Sequence, residues 1–74
     1  MLRNYIFDKR FQLFIFENKI NILNYKNIIS FTDNKVIIDI DNKIVTINGN
    51  SLIISKLLDD ELLIEGNISN IEFR

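Results

Sequence analysis

The chain has 74 residues, 47% of them hydrophobic, and a formal net charge of −1, with no Cys and no His. That length makes a single domain whose core supplies only about 3–5 kcal/mol, and the missing Cys excludes disulfides and thiolate metal sites and points to a reducing, cytoplasmic setting. Lys and Arg are scattered singly apart from Lys9-Arg10, so no basic stripe meets nucleic-acid phosphates. No apolar run reaches the roughly 18 residues that cross a bilayer.

The start, Met-Leu-Arg-Asn-Tyr-Ile-Phe-Asp, lacks a signal-peptide core. Pro, Trp and Ala are absent while Ile, Asn, Lys and Phe are abundant. These are residues with A/T-rich codons, so the bias points to a low-GC bacterium, and the many Asn carry no functional message of their own.

Residues 1–10 show no clear period and read as an N-terminal arm, flexible or ordered by a partner. Residues 11–74 read as one β domain. From Phe11 to Phe16 both faces of a strand would be apolar, which suits a central or covered strand. Glu17-Asn18-Lys19 breaks the pattern, Ile20, Ile22 and Leu23 follow, and Asn24-Tyr25 breaks it again. Lys26 to Thr32 is a short strand in which Phe31 shares parity with Ile29 and not with Ile28, so the inward residue is ambiguous.

A two-residue loop at Asp41-Asn42 sets Ile38 against Val45 and Val36 against Ile47. For the next turn, Asn48-Gly49 would oppose Lys43 to Ile54, whereas Gly49-Asn50 pairs Ile47 with Leu52 and Val45 with Ile54; the second register is preferred. One face then holds Val36, Ile38, Val45, Ile47, Leu52 and Ile54. Beyond Ile54 the parity slips, which calls for a bulge or odd-length loop between Ser55 and Asp60; a short helix over Lys56 to Leu63 is the alternative. Gly66-Asn67 marks a last turn, with Gly66 in a turn or bulge at positive φ, before a strand carrying Ile71 and Phe73. The fold class is all-β: a small antiparallel β-sandwich or open barrel of about seven to eight short strands.

The pattern Val45-x-Ile47-x-Gly49-x-x-Leu52-x-Ile54-x-x-Leu57, then Leu62-x-Ile64-x-Gly66-x-Ile68-x-x-Ile71-x-Phe73, preceded by Ser30-Phe31 and Val36-x-Ile38, resembles the YabP/YqfC family of sporulation proteins. The likeness covers roughly Phe11 to Phe73, and its more specific part is the pair Gly49 and Gly66 set between the apolar runs. The resemblance implies a small intracellular β-sandwich from an endospore-forming bacterium, acting in spore coat or envelope assembly. It carries no catalytic motif, and Gly49 and Gly66 transfer only as structural turns.

Without His or Cys the ordinary Ser-His and Cys-His arrangements are excluded, so no enzyme and no cofactor is expected. Asp39 with Asp41, and Asp59-Asp60-Glu61, could offer carboxylates to a hard cation, but solvated strand-end and turn acids are the expectation, and no metal site is assigned. Both glycines stand alone, unlike a phosphate-cradling loop. Tyr5, Phe14 and Tyr25 admit an alternative reading as a binding module for a glycan or peptide, although a small core also needs aromatics.

The registers above place Ile37 opposite Thr46, Thr46 opposite Ile53 and Ile44 beside Asp39, on the side away from the core. Unless the N-terminal segment folds over them, Ile37, Ile44 and Ile53 are expected to form an interaction surface for a second copy of the chain or for another spore-envelope protein.

Overall fold

Alternating Ile, Val and Leu drives this chain into strands, and the breaks at Glu17-Asn18 and Asn24-Tyr25 fall where two strands join. The computed structural model describes residues 3–6, 11–40 and 43–74, the first of these as backbone only. Its strands are β1 (Arg3–Ile6), β2 (Gln12–Ile15), β3 (Lys19–Leu23), β4 (Asn27–Phe31), β5 (Lys35–Asp39), β6 (Ile44–Leu57) and β7 (Glu61–Phe73). They form one antiparallel seven-stranded sheet in the order β1-β2-β3-β7-β6-β5-β4. The sheet is open, with β1 and β4 at its edges, and no helix is present among the described residues. Arg3–Ile6, within the segment read from sequence as an arm, pairs with β2, which makes β2 a central strand.

The two long strands organise the rest. β6 has 14 residues and β7 has 13, and they pair with each other along their length. β3 pairs only with the first half of β7, up to Glu65, and β5 only with the first half of β6, up to Asn48. One leaf of the sheet is therefore β1, β2, β3 and the hairpin end of β6 and β7, and the other is β4, β5 and the opposite end of the same two strands.

Each leaf has an inward apolar row structure. In the first, Leu13, Ile22 and Leu62 line up across three strands, with Leu57 an exposed end to the row, and Ile15, Ile20, Ile64 and Ile54 line up across four. In the second, Val36, Ile47 and Ile71 form one row and Ile38, Val45 and Phe73 another. Leu13, Ile20, Ile22, Val36, Ile38, Val45, Ile47, Leu62 and Ile64 are each 0% exposed. A flat sheet leaves one face in water, so the leaves must cover each other. The molecule's extents of 30 × 27 × 23 Å fit such a folded sheet, since one sheet layer accounts for only about 10 Å of thickness.

The fold occurs where the β6–β7 ladder slips. Register shifts lie between Asn48 and Gly49, between Asn50 and Ile53, and between Ile54 and Lys56. Bulges raise local twist and bend a strand, which lets a continuous ladder turn a corner. Ser51, at φ 55, and Gly66, at φ 141, are the backbone irregularities there. Side loops brace the corner: Gly49 N and Leu52 N donate to Asn34 O and Asp33 O, and Gly66 N donates to Asn18 O.

The expected turns at Gly49-Asn50 and Gly66-Asn67 are therefore corrected. Neither is a loop: Gly49 pairs with Ile68 and Asn50 with Asn67 inside the long ladder. Val45 and Ile54 lie on the same strand, as do Ile47 and Leu52, and Thr46 faces Glu72 rather than Ile53. The inward set nevertheless holds, with Leu52 1% exposed and Ile54 packed against the core. An extra bulge residue changes which parity faces inward, as a reversal of chain direction also does, so the two leave the same mark in the sequence. The slip after Ile54 is a bulge, and the Lys56 to Leu63 segment is a hairpin closed by Leu58 N donating to Glu61 O, not a helix.

The β5–β6 register is the expected one, with Ile38 against Val45 and Val36 against Ile47; the Asp41-Asn42 loop itself lies outside the described residues. In β4, a bulge between Ile28 and Ser30 resolves the ambiguity of that strand. Ile28 pairs with Ile38 and Phe31 with Val36, so both sit on the inward side, while Ile29 is the extra residue.

Between β3 and β4 the chain crosses from one leaf to the other. Asn24 makes the corner at φ 63, a conformation Asn tolerates better than most residues, and its N–H donates to Asp60 O. The Tyr25 hydroxyl then donates to Leu58 O at 2.6 Å. Tyr25→Phe keeps the ring and removes this tie, so it should cost about 0.5–1.5 kcal/mol; an unchanged urea midpoint would show that the bond contributes nothing.

Candidate functional site

With the core closed between the leaves, any site on this protein lies on an outer face, on a sheet edge or in a surface groove. On the outer face of the second leaf, Ser30, Ile37, Thr46 and Glu72 form one cross-strand row, and Asn27, Asp39 and Ile44 form the next. Ile37 and Ile44 are diagonal neighbours in this arrangement, close enough for side-chain contact. Ile29, displaced by its bulge, joins them: it shares a shallow concavity with Asp39, Lys43, Ile44 and Arg74. Ile29 is 51% exposed, Ile44 38%, and Ile37 is half-buried. Three isoleucines from three adjacent strands thus meet on a face whose other members are polar or charged.

Ile53 stands apart from them. It points outward and is 57% exposed, but it pairs with Glu65 beyond the bend, in the other leaf. The structure brings together Ile37 and Ile44 from the expected trio, adds Ile29, and leaves Ile53 elsewhere. Parity alone suggests Ile29 only weakly, because the bulge that turns it outward is invisible in a strict two-residue alternation.

Of the aromatic trio, Phe14 and Tyr25 fall in different places among the described residues. Phe14 lies opposite Asn21 on the outside of the first leaf, whereas Tyr25 lines a groove with Ile28, Leu57 and Leu58; the Tyr5 side chain lies outside the described residues. A separate open groove of about 310 Å³ runs between the end of β2 and the second half of β7, lined by Ile15, Phe16, Ile68, Ile71 and Phe73. Neither this groove nor the one at Tyr25 includes Phe14.

Among the described residues no group of three carboxylates or imidazoles could share a metal ion. Asp59 and Asp60 form the β6–β7 hairpin loop, and Asp41 lies outside the described residues. Lys56 and Glu61 make an ion pair at 3.4 Å across that hairpin, where solvent leaves it little energy. Gly49 and Gly66 sit at the corner of the long ladder in place of turns.

In comparisons with known proteins, the family model described as the YabP family matches residues 12–74. No curated protein matches the chain, and no solved structure does.

Proposed function

Because the chain belongs to the YabP family, which makes it a sporulation-related protein, we propose that it is a non-enzymatic assembly protein of endospore formation. It works in the sporulating cell's cytoplasm or at the developing spore surface, where the coat or envelope is built. Its means of action is protein–protein contact, with itself or with other spore-envelope proteins.

The observation that carries this reading is the outward cluster of Ile29, Ile37 and Ile44 on a leaf whose inward face already completes the core. Scattered exposed apolar residues need no explanation, but contiguous ones ringed by charge mark contact surfaces. The lack of His and Cys supports a role without nucleophilic catalysis.

Deleting the gene and scoring spore yield and coat morphology tests the role; normal spores from the deletion strain would overturn it. The surface has its own test. Ile37→Thr with Ile44→Thr keeps β-propensity while removing apolar area, so the expected outcome is a folded chain, within about 1 kcal/mol of wild type, that fails to restore normal spores to the deletion strain. Full restoration by the double variant would take the surface out of the mechanism.

A further inference from the structure

β4 is one of the two edge strands of the sheet. It neighbours β5 alone, forms the edge of the sheet, and exposes Ile29 and Phe31 at 51% and 43%. From Asn27 to Thr32 it has no charged residue and no proline, two of the devices by which proteins blunt such an edge. Its own irregularity, the bulge at Ile29, is a third such device and decides what can bind there. A regular strand alternates faces throughout, so laid against β4 it matches inward and outward residues on one side of the bulge and mismatches them on the other.

A second copy of β4 carries the same irregularity and escapes this mismatch. Asn27 and Ser30 face outward with Asp39 and Ile37, Ile28 and Phe31 face inward with Ile38 and Val36, and Ile29 is outward beside Ile44. Run antiparallel about a two-fold axis between Ile29 and Ser30, the two strands set Ile28 against Phe31 of the second copy, both inward. Ile29 then meets Ser30 of the second copy, both outward. Moving the pairing by a single residue in either direction opposes inward to outward residues.

Charge selects the same register. Lys26 precedes the strand and Asp33 follows it, so this alignment puts Lys26 of each copy at the level of Asp33 of the other. Like charges do not meet anywhere along the pair.

We propose that this protein forms a two-fold dimer by antiparallel pairing of β4 with β4 of a second copy, extending the seven-stranded sheet across the interface. Such pairing uses main-chain hydrogen bonds for affinity and side-chain phase for specificity, and its two-fold symmetry is the closed form of self-association. The axis is perpendicular to the sheet, so the outer faces of both copies lie on the same side. Ile29, Ile37 and Ile44 of one copy thereby join their equivalents in a single composite surface. The dimer stands independently of the role in sporulation, but it supplies that role with a surface twice as large.

Sedimentation of the full chain over a concentration series, with amide exchange read by NMR, tests the proposal. The wild type is expected to dimerise, and the amides of β4 to exchange more slowly as concentration rises. Ile29→Lys brings two ammonium groups close to the axis and should weaken association at least about tenfold, with circular dichroism unchanged. Asp33→Lys should weaken it as well, and Lys26→Asp combined with Asp33→Lys should restore it, an outcome that stays decisive if Ile29→Lys disturbs folding. A wild type that remains monomeric at millimolar concentration, protection that grows elsewhere than β4, or charge reversal without rescue would overturn the proposal. A normal deletion phenotype would leave it standing, since spore counts and dimerisation are separate readouts.

Discussion

Gly49→Ala is expected to destabilise the protein by on the order of 3 kcal/mol, the upper end for overpacking, because one methyl group has no room at this position. A Cβ there collides with the carbonyl oxygen of Asn67 and stands 3.0 Å from the carbonyl carbon and 3.1 Å from Cα of Ile68. All three are backbone atoms of β7, held by the ladder, so no rotamer change relieves the contact. Only separating the two long strands at the corner would. With a core that supplies about 3–5 kcal/mol, the loss approaches the whole stability, and at roughly 4–8 °C per kcal/mol the melting temperature falls by tens of degrees. The neighbouring Asn50→Ala, at an exposed site of the same corner, should stay within about 0.5 kcal/mol of wild type. Thermal unfolding of the pair checks this, and equal midpoints for Gly49→Ala and wild type would mean the strands are not pressed together there.

The corner is also where sequence reasoning and structure part company. Most of the inward residues could be read from alternation, because burial acts on side chains one at a time and leaves its mark at every second position. Val36, Ile38, Val45, Ile47 and Leu52 are buried for this reason, whereas Phe11 to Phe16, apolar on both faces, carries no such mark. Chain direction leaves no such mark. When inward positions pass from odd at Val45 and Ile47 to even at Leu52 and Ile54, a tight turn and a bulge explain the change equally well, and Gly beside Asn suits both. The same ambiguity recurs between Ile64 and Ile71 and again between Ile28 and Phe31. Each was a bulge. The candidate surface shows the same ambiguity: Ile37 and Ile44 share a face because the β5–β6 register is legible, while Ile53 joins them only if Gly49-Asn50 is a hairpin, and the two long strands run straight through it. Small sheets that must bury one face without helices need such corners, since only a bent sheet can cover itself.

Gly66→Val should produce a loss comparable to that of Gly49→Ala, through two costs acting together. The first is conformational. Gly66 sits at φ 141, a region that L-residues with a Cβ rarely enter, and holding one there costs about 1–3 kcal/mol. A β-branched side chain makes this worse by restricting χ1 as well. The second is steric: a Cβ at Gly66 lies 2.6 Å from the carbonyl oxygen of Ser51, 3.0 Å from Cα of Leu52 and 3.1 Å from its Cδ2. Leu52 is 1% exposed and is tied through its N–H to Asp33 O, so it cannot swing away into solvent. Gly66→Ala meets the conformational cost and the contacts with Ser51 and Leu52, and the two further methyls of Val add bulk where the Cβ is already pressed against Leu52. The expected order of stability is therefore wild type, then Gly66→Ala, then Gly66→Val, with Ala already about 2 kcal/mol down. Urea unfolding at fixed temperature separates the three. A Gly66→Val midpoint equal to that of wild type would show that β7 does not bend at Gly66, and a Gly66→Ala midpoint equal to that of Gly66→Val would show that Leu52 is not the barrier to the larger side chain.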